Sequence, residues 1–231
     1  SGTHAIPNYW GIGIRGSFNR IGTNGDTESD LLERNIVDSI EVNGSYLADG
    51  AQHNRIAGNY IGTDITGNQR LGLGALVMIR GNASNNLLGT NADGDSDELE
   101  RNVIAGRTDN TNGVLNLESS TGNVVAGNFI GVGADGTTPI AGSYTGILMR
   151  FGSVAQTIGG TTEAERNVIA GQRWSGIAID GEDSYGNIVQ GNSIGVDALG
   201  NPLGNGHYGI QLGSSGNLIG GAQPGEGNVI A

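Results

Sequence analysis

The 231-residue chain contains no cysteine and no lysine. The first absence excludes disulfides, cysteine-ligated zinc, iron–sulfur clusters and thiol catalysis. The second excludes lysine chemistry, since all 11 basic residues are arginine. Aromatic residues make up 5% of the chain and apolar residues 36%, too few for a large mixed α/β core. No apolar run reaches the ~18 residues of a membrane-spanning helix, so no membrane insertion is expected. Positive charge is scarce as well: 11 basic against 23 acidic residues leave a net charge of −12. Such a surface repels phosphate backbones, which sets nucleic acid aside as a partner. The chain starts at Ser1 without a visible signal peptide. It therefore reads as a mature piece of a longer protein, or as an expressed fragment with a cloning remnant at Ser1-Gly2.

Glycine is abundant instead, at 44 residues. High glycine with low hydrophobicity can mean disorder, but internal repetition points the other way. Glu33-Arg34-Asn35-Ile36-Val37 returns at Glu100-Arg101-Asn102-Val103-Ile104 and at Glu165-Arg166-Asn167-Val168-Ile169, at steps of 67 and 65 residues. Gly58-Asn59-Tyr60-Ile61-Gly62 returns at 127–131 and 191–195, at steps of 69 and 64. An Asn or Gln two residues before Ile/Leu-Gly recurs at Asn19, Asn86, Gln156 and Asn217.

Half of that period is also present. Short apolar strands ending at Arg15, Asp49, Arg80, Glu118, Arg150, Asp180 and Gly213 follow one another at steps of 34, 31, 38, 32, 30 and 33 residues. The structural unit is a coil of about 33 residues, and two alternating coil types make the long repeat. Each coil carries three brief Ile/Val/Leu segments of period two between turns rich in Gly, Asn, Asp, Ser and Thr. Segments this short gain stability by stacking as parallel strands at ~4.8 Å, with glycines at the corners. The expected fold is all-β: a single-stranded, right-handed parallel β-helix of about seven coils, one domain over residues 1–231.

Ile158-Gly159-Gly160, the run from Glu165 to Gly171 and the run from Gly191 to Asp197 resemble the pectate-lyase-like right-handed β-helix superfamily. More narrowly, they resemble the Gly/Asn-rich β-helix repeats of large secreted bacterial surface proteins. The resemblance covers essentially the whole chain. It implies the fold and a secreted or cell-surface location; for function it spans lyases, hydrolases, epimerases, tailspikes and non-catalytic adhesive rods.

Most recurring residues read as structure. Alternating charge at Arg15, Asp49, Arg80, Glu118, Arg150 and Asp180 suits a ladder of cross-strand ion pairs rather than a ligand track. Asn35, Asn102, Asn167 and Asn228 open one strand set and Asn54, Asn123 and Asn187 another, as stacked amides do; Asn59, Asn128 and Asn192 fall at a bend. The triplicated Glu-Arg pairs lie where a loop meets a strand, and a lyase base would be unique. Asp64, Asp135 and Asp197 read as turn-forming residues.

Three features carry candidate chemistry. The acidic loops place Asn24, Asp26, Glu28 and Asp30, and in register Asn91, Asp93, Asp95 and Asp97, at alternate positions, as Ca²⁺ coordination requires; the alternative is a solvated acidic turn. Tyr144, Trp174 and Tyr208, with Trp10 at the equivalent place in the first coil, either stack on sugar rings or shield an edge by stacking on one another. Asp180, Glu182 and Asp183, with His207 and Tyr185 one coil away, form the best candidate acid–base cluster.

The reading preferred on the sequence is a non-catalytic extracellular scaffold or adhesive rod. Its expected partners are a polysaccharide or surface glycan and neighbouring coils or copies end to end, with Ca²⁺ as the candidate cofactor. The alternative is a lyase or hydrolase of acidic polysaccharides. Against it stand the missing paired-Asp signature and the lack of a long insertion to build a cleft. An ice-binding surface fares worse, because no Thr-x-Thr ranks recur.

Overall fold

The computed structural model describes residues 11–72, 75–107, 113–140 and 142–231. Trp10 lies outside them. The chain forms three parallel sheets of seven strands each, and every sheet takes one strand from each successive coil. Sheet A comprises Ile12–Ile14, Ser39–Asn43, Leu76–Arg80, Gly113–Glu118, Thr145–Arg150, Ser175–Asp180 and Tyr208–Gly213. Sheet B runs from Arg20–Gly22 to Leu218–Ile219, and sheet C from Ile36–Val37 to Val229–Ile230. This is the parallel β-helix with seven coils that the repeats imply.

The two coil types are visible in sheet C. The stacked residues Val37, Ile61, Ile104, Ile130, Ile169, Ile194 and Ile230 are separated by 24, 43, 26, 39, 25 and 36 residues. Odd coils insert a loop between sheets B and C; even coils turn there at Gly-Asn and insert a hairpin between C and A. At the Gly-Asn corner of Gly127 a side chain has no room: φ is +74°, and a Cβ would meet Ala164 O at 2.6 Å.

Period-two alternation sends Ile40, Val77, Leu115, Ile147 and Ile177 inward from sheet A, where all are buried against Ile56, Leu88 and Val125 of sheet B and Ile61, Ile104 and Ile130 of sheet C. A second, smaller core lies on the outer face of sheet C, where Tyr60, Val103, Phe129 and Val168 are packed with Val132, Ile140 and Leu203 of the hairpin loops. The hairpins are closed by the bridges Thr63–Arg70, Val132–Pro139 and Val196–Pro202.

One strand differs from the sequence expectation. In the second coil, sheet A takes Ser39–Asn43, paired Ile12 to Ile40 and Ile14 to Val42, rather than the segment ending at Asp49. Ile40 and Val42 give two inward side chains, both fully buried. Leu47-Ala48-Asp49 offers one large apolar side chain, follows the 3₁₀ turn Gly44–Tyr46, and leaves Leu47 44% exposed.

Candidate functional site

The polar residues that recur most often form two continuous amide ladders. Before sheet B the rungs are Asn19, Asn54, Asn86, Asn123, Gln156, Asn187 and Asn217. Before sheet C they are Asn35, Asn59, Asn102, Asn128, Asn167, Asn192 and Asn228. In most rungs the backbone N–H and the side-chain Nδ2 both donate to the side-chain oxygen of the next coil; Gln156 donates its backbone N–H to Asn187 and turns its Nε2 to Ser120, and Asn167 reaches Asn192 through Nδ2. Asn54 to Asn86 shows the pattern at 2.9 Å for both bonds. The groups separated in the sequence are therefore interleaved: Asn59, Asn128 and Asn192 belong to the same ladder as Asn35, Asn102 and Asn167. Asn59, Asn102, Asn128 and Asn167 are buried, so each amide is satisfied by its own stack.

The Glu-Arg-Asn motif divides three tasks among three residues. The Glu closes the preceding loop: Glu33, Glu100, Glu165 and Glu226 accept from the backbone N–H of Asn24, Asn91, Thr161 and Gln223. The Asn is a ladder rung. The Arg reaches sideways, and Arg34, Arg101 and Arg166 each donate from Nε to the carbonyl of the corner glycine, Gly58, Gly127 or Gly191. Arg34 then lies over the Tyr60 ring at 4.0 Å and Arg101 over Phe129 at 4.2 Å. Burial pushes the pKa of Arg101 down, and Glu98 opposes that shift. In the sequence, the motif's regularity hides these separate duties; the signal for the stacking is the aromatic residue one position beyond the ladder Asn of the following coil.

The strand-end charge ladder holds in part. Glu118 pairs with Arg150, which donates from Nε at 2.9 Å, and Glu118 stands in register with Arg80. Asp49 is not a rung. Arg80 instead donates from Nε to Glu41 at 2.7 Å, and Arg15 lies over the Tyr46 ring. Asn43 takes the rung beside Arg80.

In the acidic loops, the donors that meet the carboxylates come from the protein itself. Asp30 is buried and accepts from the Ser96 and Thr23 hydroxyls and from the N–H groups of Thr27 and Gly25. These bonds hold its pKa below the usual carboxylate range against the opposing effect of burial. Asp97 accepts from the Thr90 hydroxyl at 2.7 Å. Asp26 accepts from the Asn24 side chain and the Glu28 N–H, and Asp93 from the Asn91 side chain and the Asp95 N–H. The Asp95 N–H, followed by the Asn91 amide, lowers the pKa of Asp93. Asp26, Glu28, Asp93 and Asp95 are exposed. Among the described residues, no three His, Asp or Glu side chains form a group able to hold a metal ion. Asp64, Asp135 and Asp197 close the hairpins as Asx turns, Asp197 accepting from the N–H groups of Leu199 and Asn201.

The aromatic residues stack on one another. Tyr144 and Trp174 lie 5.3 Å apart at 7°, and His207 covers Trp174 at 4.1 Å and 23°. Trp174 is thus sandwiched, with its Nε1 donating to Gln211 Oε1 at 3.0 Å and Tyr208 against its edge. This places His207 just before its sheet A strand, Tyr208–Gly213. Asp180 lies at the far end of the neighbouring strand, because Ser175 pairs with Tyr208 and Asp180 with Gly213. Five strand residues between those levels correspond to about 16 Å. The structure therefore does not bring His207 to Asp180, Glu182 and Asp183, of which the last two are exposed in a turn.

Comparison with protein-family models, with curated proteins and with solved structures gives no match.

Proposed function

We propose that this chain is a non-catalytic, rigid β-solenoid segment of a secreted or cell-surface protein, acting as a scaffold or adhesive rod. The observation that carries the reading is the pair of seven-rung amide ladders. They commit the most repeated polar residues of every coil to holding the next coil, which is what a stiff, extendable rod needs. The separation of His207 from the Asp180 cluster supports a rod over a lyase or hydrolase, since acid–base catalysis needs its groups around one point. The aromatic stack supports edge shielding, because both faces of Trp174 are occupied by other rings. The acidic loops supply their own donors, so the reading requires no calcium. A place among the pectate-lyase-like β-helices belongs to the same proposal and rests on the shared motifs.

Incubation with pectin, alginate and polygalacturonate, with and without Ca²⁺, tests it. The expected result is no release of unsaturated or reducing ends. Release that Asp180→Ala or Asp183→Ala abolishes would overturn the proposal.

A further inference from the structure

The triplicated arginines carry more than a packing role. Arg34, Arg101 and Arg166 immediately precede the first, third and fifth rungs of the sheet C ladder, Asn35, Asn102 and Asn167. They are therefore two coils apart, about 9.6 Å at the parallel-strand spacing. Each guanidinium is held at Nε by a backbone carbonyl, and two are also held by a ring face, so their orientation is fixed before any ligand arrives. Two of the neighbouring acids are turned elsewhere: Glu33 lies 3.8 Å from Arg20, and Glu100 is paired with Arg55, which leaves Glu98 as the acid whose charge acts on Arg101. Between Arg34 and Arg101 the surface opens into a depression of about 200 Å³ lined by Leu31, Leu99, Ala134 and one acid, Glu98. A shallow depression of mixed polar and apolar lining between regularly spaced guanidinium forks suits a chain of sugar rings with carboxylates at intervals.

We propose that this edge of sheet C binds a linear acidic glycan bearing one carboxylate per disaccharide, running along the solenoid axis with one carboxylate at each arginine. The inference specifies a ligand for the adhesive role proposed above and rests on that reading. Two-coil spacing matches two sugar units placed end to end. The net charge of −12 and the nearby Glu98 repel densely charged chains, so sparse charge is part of the recognition.

The probe is an oligosaccharide of alternating glucuronate and N-acetylglucosamine, titrated at low ionic strength by calorimetry. A neutral oligomer of N-acetylglucosamine and an oligogalacturonate, charged on every unit, serve as comparisons. The alternating oligomer is expected to bind more tightly than either. Arg34→Gln and the exposed Arg166→Gln are each expected to weaken binding roughly tenfold, the loss of one charge-assisted bond. Arg166→Lys, which keeps the charge but not the fork, is expected to fall between Arg166→Gln and the parent. A cooperative melting transition that stays well above the titration temperature in each variant separates these effects from unfolding. No binding of the alternating oligomer, equal binding of the neutral one, tighter binding of the oligogalacturonate, or unchanged affinity in Arg34→Gln/Arg166→Gln would overturn the proposal. Because the turnover assay is a separate measurement, a rod that binds no glycan is distinguished from a chain that is an enzyme.

Discussion

Asn59 and Asn102, 43 residues apart in sequence, are direct neighbours in the structure. The backbone N–H and the side-chain Nδ2 of Asn59 donate to Asn102 Oδ1 at 2.9 and 3.1 Å. The same Nδ2 also donates to Ile21 O and Ala57 O. One amide thereby connects three consecutive coils, and the pattern is repeated at Asn128 with Leu88, Ala126 and Asn167.

Truncating a central rung removes several buried partners at once. Asn128→Ala is expected to destabilise the fold by about 3 kcal/mol or more, since each orphaned buried group costs about 1–3 kcal/mol. Gln156 already serves as a rung with one extra methylene, so Gln156→Asn is expected to cost about 1 kcal/mol or less, as a volume change with the hydrogen bonds kept. Urea unfolding midpoints of the two variants check the contrast.

The residue before each rung of the sheet B ladder has positive φ: Phe18, His53, Asn85 and Ala155 among them, and Gly122, Gly186 and Gly216 elsewhere. A side chain there costs about 1–2 kcal/mol in backbone strain. Ala155→Gly is therefore expected to stabilise by about 0.5–1 kcal/mol after the added entropy of the unfolded chain. Gly186→Ala meets no heavy atom closer than 3.9 Å and should lose about 1 kcal/mol from strain alone. Gly127→Ala adds a clash with a carbonyl to the same strain and should be the most damaging of the three. Thermal melts under identical conditions rank them.

Stability should fall in acid through the aspartates whose folded pKa is lowered. For Asp30, hydrogen bonds from Ser96, Thr23, Thr27 and Gly25 depress the folded value. Its contribution is complete above the unfolded value of about 3.9 and is lost as pH falls through the lower folded value. Asp135, bonded by Thr138, and Asp197, bonded by Asn201, act in the same direction. Asp30→Asn should lower stability at pH 7 and flatten the decline below pH 4, as measured by urea midpoints across that range.

The ion pairs of sheet A separate two charges that the repeat pattern treats alike. Glu41 is 6% exposed and accepts from Arg80, so Glu41→Gln is expected to cost about 1–2 kcal/mol, a buried charge-assisted bond. Asp49→Asn lies outside the ladder and should change stability by less than about 0.5 kcal/mol. A double-mutant cycle of Glu41 with Arg80 should show coupling, and one of Asp49 with Arg80 should not.

The coil count, the three strands per coil and six of the seven sheet A strands are legible from Ile/Val periodicity and recurring Asn. The segment ending at Asp49 misleads because the chain passes from sheet C of the first coil to sheet A of the second through Asp38 alone, so Ile36–Val37 and Ser39–Asn43 follow one another with no glycine turn to mark the corner. The unity of each ladder was hidden by alternating loop lengths: steps of 24 and 43 residues in sheet C obscure a constant spatial step. The acidic loops matched a liganding pattern because turn donors and metal ligands favour the same residues. Which atoms satisfy a carboxylate depends on Ser96 lying two coils from Asp30, a contact that no local spacing encodes.

Hydrogen exchange of side-chain amides, read by NMR, tests the ladders most directly. The Nδ2 protons of Asn59, Asn102, Asn128 and Asn167 should exchange only with global unfolding, while those of the exposed Asn82 and Asn85 exchange freely. Equally fast exchange in both groups would contradict the continuous stack of amides and, with it, the rod.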